Sequence, residues 1–237
     1  MISIIIPTLN EEDYLPKLLE SIKRQTFTDY EVIVADAGSQ DTTITVAQSY
    51  HCNVVAGGLP AVGRNHGAES AKGELLLFLD ADTILSDNFL EQCLDEFKKR
   101  NLDAAVFPIL PIDGIMIDRL ILSLWNIWVF LVQKVLTHGM SAFLVKKSTH
   151  ELVGGFDESV VFAEDQHYIH RVGNIARFGI LKLPIYISTR RFKKDGRFIT
   201  YGKYIIAELH ILFLGPIKTN IFKYNFGHYK DNSKNKS

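Results

Sequence analysis

The residues of this chain best placed for chemistry are carboxylates that end apolar runs. Residues 75–79 read Leu-Leu-Leu-Phe-Leu, and the run stops at Asp80-Ala81-Asp82. Such a run reads as a strand buried on both faces. In open α/β sheets ligands collect beyond the carboxyl ends of the strands, so an Asp-x-Asp there is placed to hold a divalent cation through hard oxygen ligands. The alternative is a turn or a helix cap, because residues 83–87 lead into a helical pattern. Asp36, which follows the apolar run 30–35, poses the same choice. Glu164-Asp165 opens a later helical pattern, where a carboxylate is also a good cap. Arg190-Arg191 begins a stretch holding five cations within eight residues (Arg190, Arg191, Lys193, Lys194, Arg197), either a solvated basic loop or a seat for anionic groups.

These groups need a scaffold, and the composition supplies one. A chain of 237 residues that is 47% hydrophobic can bury the core of a single α/β domain with attachments. The formal net charge of -1 gives no general reason to expect nucleic acid as a partner, although the last third is basic. Cys52 and Cys93 have neither metal-ligand spacing nor a disulfide framework and read as core thiols of a reducing compartment. Residues 2–6 are an apolar run starting at Met1 with no basic leader, so they read as a first strand, and the catalytic part is expected in the cytoplasm.

Strand and helix signals alternate, which implies a parallel sheet. Ile2–Ile6 is a strand ending at Pro7-Thr8-Leu9-Asn10-Glu11, and a helix runs from Asp13 to about Gln25. A strand over 30–35 leads through Gly38 to a helix capped by Ser39 or Asp41. A short strand at Val54-Val55 precedes a helix opened by Arg64-Asn65-His66-Gly67-Ala68. After the central strand come a helix over 88–100, a strand over 104–107 and a strand over 180–187. There is no Gly-x-Gly-x-x-Gly after the first strand and no Gly-x-x-x-x-Gly-Lys-Ser/Thr anywhere, which counts against dinucleotide and P-loop enzymes. A metal held by Asp82, helped by Arg64, would neutralise a diphosphate instead.

The order Ile-Ile-Ile-Pro7-Thr8-Leu-Asn-Glu11, Asp36-Ala-Gly-Ser-Gln-Asp-Thr-Thr, Gly63-Arg64-Asn-x-Gly-Ala and Leu79-Asp80-Ala-Asp82 resembles the amino-terminal half of the family 2 glycosyltransferases, which have the GT-A fold. The resemblance implies a Rossmann-like, mostly parallel central sheet flanked by helices. Pro7, Thr8, Glu11 and Asp36 would line the nucleoside pocket, and Arg64 would lie near the base or diphosphate. Asp80 would approach ribose and metal, and Asp82 would ligate a divalent metal, Mn2+ or Mg2+. Ala37 stands where many members have a second Asp. Further on, Gly139-Met-Ser-Ala-Phe-Leu-Val resembles the strand entering the acceptor region, Gly154-Gly155-Phe156-Asp157-Glu158 the turn before the catalytic helix, and Glu164-Asp165 the pair supplying the catalytic base. The implied activity is inverting, metal-dependent transfer of a sugar, in the hexosyltransferase class, from a nucleoside-diphosphate sugar. A nucleotidyltransferase would need a glycine-rich basic loop after the first strand, which Pro7–Glu11 is not. An inactive glycan-binding membrane protein of the same fold stays open.

Two segments are unusual. Wound as a helix, residues 115–136 gather Asp118, Arg119, Ser123, Asn126, Gln133 and Lys134 in a sector of about 160° and leave a broad apolar remainder with two tryptophans. An interfacial helix, a core-packed helix and a membrane span are all open readings. Residues 201–226 form a second apolar run, interrupted by Glu208, His210, Gly215-Pro216 and Lys218. Basic residues beside amphipathic stretches suit an anionic membrane surface, and membrane-associated family 2 transferases with an Arg-Arg-Phe element resemble this. The expected organisation is a nucleotide-sugar-binding half over 1–114, an amphipathic insertion over 115–136 and an acceptor half over 137–198. A membrane-associating segment over 199–229 and a disordered tail over 230–237 complete it. The expected place is the cytoplasmic face of the cell membrane, peripheral or monotopic, with a lipid-linked acceptor and no nucleic acid. A polyprenyl- or dolichyl-phosphate acceptor, with Arg190 and Arg191 on the phosphate, is the alternative.

Overall fold

The computed structural model describes residues 1–133 and 137–219. The chain forms β1 (Ile2–Thr8), α1 (Leu15–Lys23), β2 (Tyr30–Asp36), α2 (Thr43–Ser49), β3 (Asn53–Ala56), α3 (Pro60–Ser70), β4 (Leu75–Leu79), β5 (Thr83–Ile84) and α4 (Phe89–Lys99). It continues as β6 (Ala104–Val106), β7 (Ile109–Pro111), α5 (Met116–Val132), β8 (Ala142–Lys146), α6 (Lys147–Val153), α7 (Glu164–Gly173), β9 (Phe178–Ile180), β10 (Ile185–Ile187), α8 (Arg190–Asp195) and α9 (Arg197–Leu214).

The main sheet has seven strands in the order β3-β2-β1-β4-β8-β6-β9. All its pairings are parallel except those of β8 with β4 and β6. The chain moves outward from β1 to β2 and β3, then returns to place β4 on the other side of β1. Strand order therefore reverses between β1 and β4, and a crevice opens there at the carboxyl ends. Residues buried on the two faces of the sheet form two cores, one with α1, α2 and α4 and the other with α3 and α7. A second, three-stranded sheet, β5-β10-β7, sits beyond the end of β4.

One glycine decides how closely α3 lies on the sheet. A Cβ added at Gly67 would come within 2.4 Å of Ile5 Cγ2 on β1, a separation no relaxed contact allows. The missing side chain lets α3 press against β1 and carries Arg64, one turn earlier, over the strand ends.

Two expected elements differ. The helix expected to open at Arg64 begins at Pro60, because proline suits the first helical turn, so Arg64 lies inside α3. The strand expected over 180–187 is two strands in different sheets: Pro184 cannot donate to a ladder, and the run breaks between Leu181 and Pro184. The basic stretch, open as a solvated loop or a seat for anions, winds into α8, whose N-cap Thr189 donates through N and Oγ1 to Asp113 Oδ1, both at 3.0 Å.

The helix expected over 115–136 is α5, with Lys134 outside the described residues. Its expected polar sector is split. Asp118 is fully buried, and Asn126 turns inward to bond the backbone N and O of Ile109, while Arg119 and Ser123 are exposed. Leu120, Leu124, Ile127, Phe130 (62%) and Leu131 (70%) face outward. No helix among the described residues is long and apolar enough to cross a membrane. The tail 230–237 and the end of the segment 199–229 lie outside the described residues.

Gly67→Val is expected to lower stability by about 2 kcal/mol, since α3 must lift from β1 to admit the side chain. Urea denaturation of the native protein and the variant checks this.

Candidate active site

Each carboxylate reaches the crevice because a buried strand ends beneath it. β1 delivers Thr8 and, just past its end, Glu11; β2 delivers Asp36; β4 delivers Asp80 and Asp82. The turn after β4 is fixed by the Asp80 carbonyl, which accepts from Thr83 N at 3.2 Å and Thr83 Oγ1 at 2.8 Å. The loop after β1 is stapled to α2: Glu11 N donates to Thr43 Oγ1 at 2.8 Å, which donates to Asp41 Oδ1 at 2.5 Å.

Asp36 is absorbed by its own turn. Its Oδ2 accepts from Gly38 N at 2.9 Å and Ser39 N at 2.8 Å, and its Oδ1 from Thr8 Oγ1 at 3.0 Å and Ser39 Oγ at 2.5 Å. This carboxylate and Thr8 therefore brace the floor of the crevice. Pro7, beside them in β1, is buried.

Two arginines hold the remaining acids together. Arg64 is 4% exposed and bridges the halves of the domain, with Nη2 on Asp80 Oδ1 at 2.8 Å and Nη1 on Glu164 Oε1 at 2.5 Å. Its guanidinium carbon lies 5.6 Å from the centre of the Phe156 ring. Its Nε is buried without a hydrogen-bond partner among the described residues. Arg190 grips Glu11 with both Nη atoms at 2.7 Å and places Nε 3.0 Å from Asp82 Oδ2. It also lies 4.3 Å over the Tyr14 ring. Arg191 donates to Tyr204 OH at 2.9 Å and adds its charge to the surroundings of Asp80.

Glu164 and Asp165 open α7, and the residue before them, Ala163, has φ 55°, a conformation costly for a side chain with a Cβ. Gly139 presses against this turn: a Cβ there would lie 2.7 Å from Gln166 N, and Gly139 N donates to Gln166 Oε1 at 2.5 Å. Asp165 Oδ1 accepts from Gln166 N at 2.8 Å.

Burial dominates the electrostatics. It pushes Asp165 up to about 7, with Glu164 adding repulsion and Arg64 opposing it. It pushes Glu11 up to about 7 against the pull of Arg190, and Asp80 up to about 6 against the pull of Arg64. A carboxyl titrating near neutrality is suited to proton transfer. Among the described residues no three His, Cys, Asp or Glu side chains converge as a preformed metal site. Asp82, with Asp80 behind it, still fits Mg2+ or Mn2+, which are often held by one or two carboxylates plus substrate phosphates. The orphaned Arg64 Nε fits an anionic ligand.

The structure thus brings Glu11, Arg64, Asp80, Asp82, Glu164, Asp165 and Arg190 into one cluster, with Arg191 near enough to Asp80 to favour its charged form. Sequence reasoning missed Tyr14 and Phe156, whose rings carry no local signal of a partner far along the chain. Ala163 is signalled only by its place before the acidic pair.

A parallel-rich α/β sheet with acids massed at its reversal point is an architecture of GT-A type. Residues 3–136 match the family described as Glycosyl transferase family 2, and the chain belongs to that family. It is 29% identical over 191 residues to chondroitin synthase of Escherichia coli, covering 75% of this chain and 27% of the relative. It is 29% identical over 122 residues to the poly(ribitol-phosphate) beta-N-acetylglucosaminyltransferase TarS of Staphylococcus aureus, covering 47% of this chain and 21% of the relative. The chain thus spans only about a quarter of the length of these relatives. The crystal structure of S. aureus TarS 1-349 superposes with a TM-score of 0.66 at 22% identity, covering 79% of this chain and 60% of that one. The mannosyltransferase PcManGT of Pyrobaculum calidifontis, in complex with GDP-Man and Mn2+, gives a TM-score of 0.63 at 20% identity, covering 78% of this chain and 56% of that one.

Arg64→Met is expected to cost about 3 kcal/mol, because Asp80 and Glu164 lose the charge that compensates their burial. Adding Glu164→Gln should recover part of the loss, and a double-mutant cycle by chemical denaturation measures it.

Proposed function

We propose that this protein inverts the anomeric centre as it transfers a sugar from a nucleoside-diphosphate sugar, with a divalent metal, to a membrane-held, lipid-linked acceptor. The observation that carries the reading is the convergence of Glu11, Asp80, Asp82, Glu164 and Asp165 with buried Arg64 and half-buried Arg190 at the strand-order reversal. TarS has been crystallised with UDP and with UDP-GlcNAc, and PcManGT with GDP-Man and Mn2+, which supports a nucleotide-sugar donor here.

Asp82, with Asp80, would hold Mn2+ or Mg2+, which would supply Lewis-acid neutralisation of the leaving diphosphate. Thr8 and Asp36 shape the nucleoside floor through their turn. Arg64 holds Asp80 on the donor side and Glu164 on the acceptor side at one fixed spacing. Asp165 takes the acceptor proton at its carboxylate as the acceptor oxygen attacks the anomeric carbon from the face opposite the leaving group. That direct displacement inverts the centre without a covalent intermediate.

A hydroxyl acceptor suits the site better than a lipid phosphate. An alcohol needs the base that Asp165 provides, whereas an ionised phosphate needs none and would leave the Glu164-Asp165 pair without a task. The lipid surface is proposed from α5 and α9. Phe198, Ile205, Leu209, Phe213 and Leu214 of α9 face outward, as do the apolar residues of α5, and the lysines and arginines of α8 stand beside them. Such faces suit insertion at the membrane boundary, on the cytoplasmic side.

The test is a panel of nucleotide sugars with Mn2+ or Mg2+, read as nucleoside-diphosphate release and transfer to lipid extracts. Asp82→Ala and Asp165→Asn should each cost about 3 to 5 kcal/mol of transition-state stabilisation, with the fold intact. Asp165 must be ionised to act, so the native rate should climb as pH rises through about 7 and level off above it, and Asp165→Asn should abolish that limb. A native enzyme that releases no nucleoside diphosphate from any donor would sink the reading.

Flotation of the full chain with vesicles tests the membrane part. Binding to anionic vesicles that survives high salt is expected, since apolar insertion is not screened; a protein that stays unbound refutes it.

A further inference from the structure

Arg190 sits where the proposed donor site needs a cation. It opens α8 and reaches residues up to 179 positions earlier in the chain. Both Nη atoms lie 2.7 Å from the two oxygens of Glu11, Nε lies 3.0 Å from Asp82 Oδ2, and the guanidinium lies over the Tyr14 ring. Glu11 is 7% exposed, and Arg190 is the cation that compensates it in this structure. Asp82 Oδ2 is thus already spent on a positive charge, and that same carboxylate is the candidate metal ligand.

Two cations a few ångströms apart on one carboxylate repel strongly at the effective dielectric of a partly buried site. A guanidinium fork also matches phosphate oxygens as well as it matches a carboxylate. We infer that Arg190 is the resident counter-cation of this site, seated on Glu11 and Asp82 until metal and donor arrive and then transferred to the donor diphosphate. The inference rests on the donor-site reading above. Arg190 would be a positioning residue of the donor half supplied by the acceptor half. Its helix stays anchored meanwhile, because Thr189 and Lys193 hold Asp113.

The test uses the full chain and two titrations. Mn2+ alone, followed by electron paramagnetic resonance of the free ion, should bind Arg190→Gln about tenfold more tightly than the native protein, because the competing charge is gone. UDP or GDP, whichever the native protein binds in the presence of Mn2+, should bind the same variant about tenfold more weakly by calorimetry, because the fork on the diphosphate is lost. A merely structural Arg190 would move both affinities downward together, and that result, or unchanged Mn2+ affinity, overturns the inference. Arg190→Lys guards against a variant that does not fold: it keeps the charge and loses the fork, so Mn2+ affinity should stay near native while the diphosphate weakens. Native diphosphate affinity in that variant also overturns the inference. If the native protein binds no nucleoside diphosphate, the donor-site reading fails instead, and the Mn2+ titration still decides whether Arg190 competes for the carboxylates.

Discussion

The repulsion among buried acids is the constraint on which the rest of this structure depends. Five carboxylates face one crevice, and each is drawn there by the end of a buried element. Left alone they would protonate or push the domain apart, since burying like charges together is costly. Arg64 and Arg190 resolve this in pairs, each bridging acids from separate segments: Asp80 with Glu164, and Glu11 with Asp82. The compensation is incomplete. Glu11, Asp80 and Asp165 remain pushed up to about 7, 6 and 7 even beside the guanidiniums. Replacing such a network with apolar residues could yield a more stable protein, so the network is better explained by a need for charge in the crevice than by stability.

The sheet makes that concentration of charge possible. Because β4 returns to the other side of β1, the loops after both strands splay apart at one edge without an intervening connection. Antiparallel β8 then lets the chain leave and re-enter that edge, so that α7 presents Glu164 and Asp165 from the opposite wall. Two close backbone approaches set the spacing of the walls, α3 on β1 at Gly67 and the 139 region on α7 at Gly139. The pair of acids on α7 is held against Arg64 by these contacts and not by its own helix alone.

What the sequence could reveal depended on how local the cause was. The strands β1, β2 and β4 were legible because apolar runs ending in Asp or Pro-Thr are read within one window, and the motif order pointed to the same family and fold as the comparisons. The split of 180–187 was also local, written in Pro184, and was missed by giving the apolar run more weight than the missing donor. Asp36 carried its second meaning, the organiser of a turn, in the Gly-Ser that follows it. Arg190 is different. Nothing within ten residues of it indicates Glu11, Asp82 or Tyr14, because that contact is fixed by where β10 ends, and β10 belongs to a small sheet whose other strands have only two or three residues each. Long-range pairings made by short edge elements leave no periodic trace.

The helices α5 and α9 follow from the same logic of polar groups turned inward. Asp118 caps the start of α5 through Ile115 N at 3.0 Å, is fully buried, and takes Arg197 Nε at 2.9 Å and Tyr201 OH at 3.4 Å from the start of α9. Farther along, His138 stands under Trp128 with ring centres 4.5 Å apart and places Nε2 3.1 Å from Glu208 Oε2 on α9. α5 sets Leu122 and Val129 into the core and α9 buries Ala207, yet polar atoms also turn inward on both helices, and much of their leucine, isoleucine and phenylalanine is left facing outward. A protein with only water around it would gain by the opposite arrangement, about 25 cal/mol for each Å2 of apolar surface covered. The arrangement is explained if something apolar covers that face, as the proposed lipid surface would. Since Phe192 of α8 packs on Tyr201 of α9 with ring centres 4.7 Å apart, the helix bearing Arg190 is also the one that connects this face to the crevice. With lipid on that face, the acceptor would reach the crevice from the side of α8 and α9.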